Sequence, residues 1–161
     1  MEARVWWSPP GSEDVYTLEP SCSGTSCFRF TPFSISDKHP SIEMKGHVIH
    51  SAPPARGTIA VTTPFDRFST AQNDHMNAVS QAIDLIENGA LDKVVVARIK
   101  SVTSDASPEA TFKLKCEKHP DAFVYLIDHP SCGVWCGATP ELLIASSDNR
   151  VETVSLAGTR V

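Results

Sequence analysis

The sequence lacks a long apolar run, and this absence limits the classes of protein to which it can belong. Its 161 residues include 41% hydrophobic and 20% charged residues, which is the composition of an ordinary globular domain. No stretch approaches the roughly 20 apolar residues of a membrane-spanning helix, and the N-terminus has no apolar core after a basic start, as a signal peptide would. We therefore expect a cytoplasmic protein without a membrane partner.

The sequence also lacks a basic cluster. Its formal net charge is -5, so its overall field repels nucleic acid and anionic membrane surfaces. The composition favours a small-molecule ligand instead. If that ligand is an anion, local cations, backbone N–H groups or a metal ion must hold it.

Paired cysteine and histidine motifs are absent too. The five cysteines include no Cys-x-x-Cys pair, which predicts reduced thiols rather than a disulfide framework or a zinc site. His47 and His50 are three positions apart, but no cluster of carboxylates or cysteines accompanies them. We interpret them as ordinary strand or loop residues.

The first 65 residues contain many turn formers between short strand-like segments. Residues 15–18, 28–33 and 58–62 have the composition of short strands, and clusters rich in proline, glycine and serine separate them. We predict a β-rich N-terminal part. Its core should include adjacent and alternating aromatic residues, namely Trp6, Trp7, Phe28, Phe30 and Phe33.

A helix is predicted over residues 70–88. Apolar residues recur there with the 3-4-3 spacing of one helical face, at Met76, Val79, Ile83 and Ile86. Ser69 or Thr70 can cap the first turn, and Gly89 stands where a left-handed residue ends a helix.

The next stretch, Leu91-Asp-Lys-Val-Val-Val-Ala-Arg98, has an apolar, β-branched run that predicts a strand buried on both faces. Side-chain alternation places Lys93 on the face of Val95 and Ala97, whereas Arg98 lies on the other face. Lys93 is then either a strand-edge charge in water or a base kept dry for chemistry.

The second half of the chain predicts a helix over residues 108–118. Ser107-Pro108-Glu109 is a strong helix start, with proline at the first helical position and an acid in the first turn. Strand-like segments follow, at residues 122–128, 133–136, 142–145 and 151–156. This order of elements predicts an α+β fold. Because the chain stops at Val161 directly after a strand and a glycine turn, we expect it to be truncated.

Two later stretches carry groups suited to chemistry. In Gly133-Val-Trp-Cys-Gly-Ala-Thr-Pro-Glu141-Leu-Leu, the glycines allow close backbone approach and the proline aims Glu141 at the edge of an apolar layer. The alternative is an acid that faces water at the start of a strand. In Leu156-Ala-Gly-Thr-Arg160, N–H groups and a hydroxyl form a cradle for a carboxylate, or else the segment is a plain tight turn.

Together with Lys-Val-Val-Val-Ala-Arg, and in this order, these stretches closely resemble the chorismate-utilising enzyme family and, within it, the isochorismate synthases. The resemblance is specific from about residue 76 to residue 160. It implies a two-sheet α/β sandwich. Residues 1–65 would form a variable β-rich part, and residues 66–161 the first part of the chorismate-binding catalytic domain.

The resemblance also implies a reaction, in which water adds to C2 of chorismate and the 4-hydroxyl leaves. Such a reaction needs a base and an acid on opposite sides of the ring. Lys93 matches the general base and Glu141 the general acid. Desolvation favours the neutral lysine and the protonated glutamic acid that these roles require.

The family's substrate-binding loop matches Leu156, Gly158 and Thr159, whereas Arg98 and Arg160 receive no role. The resemblance further implies Mg2+, which neutralises the substrate carboxylate. Its glutamate ligands are expected beyond Val161, so no metal ligand is predicted within this chain. We therefore expect little or no activity from the chain alone, and its open strand edges predict a dimer or strand exchange between copies.

Other members of the family remain alternatives. The whole protein could be a salicylate synthase or an aminodeoxychorismate synthase, or the chain could be a non-catalytic binding domain that retains the motifs. The resemblance argues against an anthranilate synthase, which is expected to carry glutamine at the position of Lys93 and to use ammonia. The motifs leave open whether the product feeds menaquinone, siderophore or salicylate synthesis.

Overall fold

The computed structural model of the chain describes residues 3–32, 34–37, 39–59, 69–142, 144–147 and 149–153. The chain divides into two compact units, the first comprising residues 1–61 and 106–161 and the second residues 62–105. The predicted division into parts 1–65 and 66–161 stays a prediction.

Within the described residues, the elements follow one another along the chain as ten helices and strands. They are β1 (Arg4–Ser8), β2 (Val15–Pro20), β3 (Ser26–Phe30), β4 (Ile42–Ser51), α1 (Gln72–Glu87), α2 (Pro108–Lys118), β5 (Phe123–His129), β6 (Gly133–Thr139), β7 (Ala145–Ser147) and β8 (Arg150–Glu152). Helix α1 belongs to the second unit, and the other elements belong to the first. Two helices with antiparallel strands confirm the predicted α+β class.

The first unit is built on one antiparallel sheet. Its strand order is β3-β4-β2-β1-β5-β6, and β7 and β8 form a separate two-stranded sheet. The pairing of β1 with β5, which places Arg4 opposite Asp128 and Ser8 opposite Val124, joins the N-terminal strands to those that follow α2.

The six-stranded sheet is strongly curled. Phe30 of edge strand β3 and Trp135 of edge strand β6 lie with their ring centroids 5.5 Å apart, although four strands separate β3 from β6 in the sheet. Phe30 also contacts Tyr125, and Phe28 contacts Trp7 and Phe123. The inner face of the curl is therefore packed with aromatic rings, as predicted for Trp7, Phe28 and Phe30, while Phe33 lies outside the described residues.

Helix α2 covers the opposite face of β5 and β6. Phe112 is fully buried and lies in one cluster with Trp6, Val124 and Leu126. The helix spans the predicted residues 108–118, and the Ser107 hydroxyl accepts a hydrogen bond from the Ala110 N–H at 3.3 Å. The predicted start at Ser107-Pro108-Glu109 is confirmed.

The start of α1 differs from its prediction. The residue before the helix is Ala71, with no side-chain cap, because the two hydroxyls proposed as caps serve another segment. The Thr70 Oγ1 accepts a hydrogen bond from the Ile99 N–H at 3.0 Å, and the Ser69 Oγ accepts one from the Ser101 N–H at 2.8 Å. The predicted end is confirmed, since Gly89 has a positive φ of 71°.

The prediction of a buried strand over residues 91–98 is wrong for this structure. No strand pairing includes these residues, and all of them except Val96 are exposed. Apolar, β-branched composition favours an extended conformation but does not supply a pairing partner, and none of the described strands lies in the second unit. Helix α1 likewise has no buried residue. No described helix is long and apolar enough to cross a membrane.

The burial of Phe112 leads to a stability prediction. Replacing Phe112 by alanine removes a fully buried ring between α2 and the sheet and should lower the free energy of unfolding by about 3–5 kcal/mol. Leu114→Ala on the same helix is the matched control, because Leu114 is 49% exposed, and should cost about 0.5 kcal/mol. Urea denaturation followed by circular dichroism measures both. Equal losses would contradict the packing described for α2.

Candidate functional site

Lys93, the predicted general base, lies in the second unit. It follows the turn at the end of α1, where the Gly89 and Ala90 N–H groups donate to the carbonyls of Ile86 and Leu85. This turn sets the direction in which the chain leaves the helix. The side chain of Lys93 is exposed to water, so the described residues do not give it the apolar surroundings of a dry base.

Glu141, the predicted general acid, lies in the first unit. It comes two residues after the end of β6, and its N–H donates to the Thr139 Oγ1 at 3.3 Å. Its side chain is exposed. Each of the two predicted catalytic residues is thus described within its own unit, and their proximity across a substrate stays a prediction.

The glycine motif before Glu141 has a structural reason. Gly137 lies directly opposite Tyr125 in the β5–β6 pair, and a Cβ on Gly137 would lie 2.5 Å from the Tyr125 ring. The predicted close approach is confirmed, and the approaching group is a core aromatic ring. Gly133, with a φ of 75°, makes the turn that precedes β6.

The third motif cannot be placed. Leu156, Gly158, Thr159 and Arg160 lie outside the described residues, so the substrate-binding role predicted for the first three stays a prediction.

The described residues do not fit a Mg2+ site. Magnesium requires several oxygen ligands, and in the described part of the chain no group of three or more His, Cys, Asp or Glu side chains could hold a metal ion.

A groove of about 180 Å³ lies on the first unit. It is lined mainly by residues of β1, β2 and β4, and contains neither Lys93 nor Glu141. Its lining residues are Ala3, Val5, Leu18, Pro20, Glu43, Met44, Lys45 and His129. The groove therefore gives no support to the predicted acid and base.

All five cysteines are free, in agreement with the predicted reduced thiols. Burial raises the pKa of Cys136 to about 11, and it also raises the pKa values of Cys116 and Cys132. These three thiols are protonated at neutral pH, which makes them poor nucleophiles.

The sequence did not reveal the role of Glu109, a buried carboxylate that holds a loop against α2. The Ile59 N–H donates to its Oε1 at 2.7 Å, and Oε2 is buried with no partner among the described residues. Burial alone would raise the pKa of Glu109. The nearby donor groups, namely its own N–H, the Ser107 hydroxyl and the N–H groups of Ile59 and Gly57, favour the charged carboxylate, outweigh burial and lower the pKa. The only sequence signal was an acid in the first helical turn, which usually faces water.

Glu109→Gln should destabilise the chain by about 1–3 kcal/mol at neutral pH, because the neutral amide oxygen accepts a weaker hydrogen bond than the buried carboxylate. The lowered pKa means that the charged form stabilises the fold above the ordinary carboxyl pKa, and that this contribution disappears as the pH falls through the folded pKa. The difference from wild type should therefore shrink in acid. Glu117→Gln, at an exposed position of α2, is the control. Urea titrations at several pH values measure the effect, and a difference independent of pH would contradict it.

A family model described as chorismate binding enzyme matches residues 42–161. A putative isochorismate synthase MenF of Mycobacterium tuberculosis is 38% identical over 95 residues, covering 53% of this chain and 26% of the relative. The anthranilate synthase component 1 1 of Halobacterium salinarum is 32% identical over 106 residues, covering 66% of this chain and 19% of the relative.

The isochorismate synthase EntC of Escherichia coli is 30% identical over 82 residues, covering 50% of this chain and 21% of the relative. The chain thus matches at most 26% of the length of these relatives. No solved structure matches it significantly.

Proposed function

Because the chain belongs to the family of chorismate-binding enzymes, we propose that it carries the general base and the general acid of an isochorismate synthase. The observation that carries this proposal is the lysine at position 93, in a motif that resembles isochorismate synthases and lies inside the family match. Two of the three relatives above are named as isochorismate synthases, which supports the same choice.

The proposed reaction exchanges one hydroxyl for another on the chorismate ring. Neutral Lys93 takes a proton from a water molecule while the oxygen of that water bonds to C2. Protonated Glu141 gives a proton to the 4-hydroxyl, which leaves as water while the ring double bonds shift. Leu156, Gly158 and Thr159 would contact the ring and its carboxylate.

These protonation states need surroundings that the described residues do not provide. Both side chains are exposed, and a neutral lysine or a protonated glutamic acid at neutral pH requires an apolar, water-poor site. The whole protein would have to supply those surroundings, together with the carboxylates for Mg2+. We therefore expect the 161-residue chain alone to produce little or no isochorismate.

Relatives with other products define the alternatives. The match to an anthranilate synthase shows that the family match alone does not choose the nucleophile. Salicylate synthase and aminodeoxychorismate synthase chemistry would both be compatible with Lys93. A non-catalytic chorismate-binding domain is the alternative outside enzymes.

A chimera tests the proposal. The stretch of this chain that matches the Mycobacterium tuberculosis relative replaces its counterpart in that protein, which supplies the remaining length. We expect isochorismate from chorismate and Mg2+, measured by liquid chromatography, whereas the 161-residue chain alone gives little or none. A folded chimera that makes anthranilate only with ammonia, or salicylate, would replace the proposed function by that alternative. A folded chimera that binds chorismate without turnover would favour the non-catalytic domain.

Lys93→Ala in the same chimera tests the base. Loss of a general base should lower kcat by about 10²–10⁴-fold, while the thermal midpoint stays close to that of the parent, because removing a lysine from a water-poor site also removes the cost of desolvating it. Lys100→Ala, another exposed lysine of the same segment, is the control and should retain activity. Comparable losses in the two variants would contradict the assignment of Lys93.

A further inference from the structure

Hydrogen bonds within the second unit tie together the two segments through which the chain enters and leaves that unit. The Thr70 N–H donates to the Ile99 carbonyl at 2.8 Å, and the Ser69 Oγ accepts a hydrogen bond from the Ser101 N–H at 2.8 Å. Residues 69 and 70 are the first described residues of the second unit. The incoming and outgoing segments are therefore held against each other on the side of the second unit.

A second tie between the same two segments lies within the first unit and is made by Glu109. The N–H of Ile59, the last described residue before the second unit, donates to the Glu109 Oε1 at 2.7 Å. Glu109 stands in the first turn of α2, just after the chain returns to the first unit at residue 106. Between the two ties the chain runs through residues 60–68, which lie outside the described residues, and through residues 102–106.

The loop that contains Ile59 is shaped to receive a carboxylate. The N–H and the hydroxyl of Thr58 both donate to the Ala55 carbonyl, at 3.2 and 2.6 Å, and Gly57 closes this turn with a φ of 84°. The N–H groups of Gly57 and Ile59 both favour the charged form of Glu109, as in other backbone concavities that bind anions. The positive end of α2 acts in the same direction.

Water does not compete for this hydrogen bond, because both partners are buried. Glu109 is 3% exposed and Ile59 is 5% exposed, and the Ile59 side chain packs in one cluster with Phe112 of α2. The groups that act on the pKa of Glu109 are its own N–H, the Ser107 hydroxyl and the two loop N–H groups, and none of these is charged. The protonation of Glu109 alone therefore decides the strength of the tie.

We propose that Glu109 is a positioning residue, whose tie holds the two segments together in the first unit and so restricts the movement of the second unit, which carries Lys93. When the tie opens, the loop of chain that leads through the second unit is closed less tightly and gains conformational freedom. The role concerns catalysis only through the proposed function of Lys93. A restricted unit has less freedom left to lose when Lys93 is held against a substrate.

Nitrogen-15 relaxation of the 161-residue chain tests the role, because it measures a rotational correlation time for α1 and another for β5. Glu109→Leu removes the acceptor and keeps an apolar side chain of similar size in the buried position. The correlation time of α1 should then fall by roughly 1.5-fold relative to wild type, and that of β5 should fall less, since a small body on a looser connection reorients faster. Glu109→Gln keeps a weaker acceptor and should give an intermediate value.

Two further variants separate the tie from a general effect on folding. Glu117→Gln, at an exposed position of α2, is the control and should leave both correlation times unchanged. Gly57→Ala leaves α2 intact and its Cβ meets nothing within 4 Å, but the positive φ strains an alanine. It should lower the correlation time of α1 in the same direction as Glu109→Leu. The same ratio of the two correlation times in wild type and in the folded Glu109 and Gly57 variants would overturn the positioning role.

The wild-type chain gives an independent readout as the pH is lowered. The Ile59 amide proton resonance should move upfield as Glu109 takes up a proton, because the neutral acid accepts a weaker hydrogen bond than the carboxylate. Since the pKa of Glu109 is lowered, the tie is closed at neutral pH and opens only as the pH falls through the folded pKa. The correlation time of α1 should follow the same titration curve, while the β5 resonances keep their folded positions.

Glu109→Leu should abolish that pH dependence of the α1 correlation time. A correlation time that stays constant in wild type while the Ile59 resonance titrates would overturn the proposal. No chorismate enters these measurements. A failed tie would therefore leave the proposed chemistry of Lys93 standing, and a chimera without turnover would leave the tie standing.

Discussion

The contact between the two edges of the curled sheet is the constraint on which the first unit depends. Phe30 and Trp135 can meet only if the intervening strands bend round the rings of the inner face. That bend closes a core on one side of β1 and β5, while α2 closes another on the opposite side. The sheet therefore contributes two buried clusters from strands that alternate apolar residues on both faces.

The sequence predicts those features of this fold that depend on neighbouring residues. Serine, proline and an acid at the start of α2, the positive-φ glycine after α1, and the aromatic pairs of β1 and β3 all act locally or through strand alternation. The order of the strands is different, because it depends on which distant segments pair. Nothing local indicated that β5 would lie next to β1 or that β3 and β6 would meet.

The predictions for the site also divide into local features, which the sequence indicates, and features that depend on distant segments. Motifs predicted Lys93 in a strand that follows a helix and Glu141 at the start of a strand, whereas the structure places neither residue in a strand. Their burial could not be predicted, because a residue becomes dry only when other segments cover it, and residues 91–98 have no described cover. Glu109 shows the converse. A residue whose sequence context indicates an exposed helix start is buried because a loop 50 positions away reaches its carboxylate.

The pairing of β1 with β5 also affects the order in which the strands of the sheet can form. Arg4 and Asp128 are 124 positions apart along the chain, so this part of the sheet cannot form by zipping from a nearby turn, and the loop must close first. Proteins dominated by such distant contacts fold slowly. During synthesis on the ribosome, β1 can pair with β2, but its other edge must wait until β5 has emerged. The first four strands can by then have formed a sheet in the order β3-β4-β2-β1 with that edge unfilled. The last strands to appear therefore complete a sheet that began with the first.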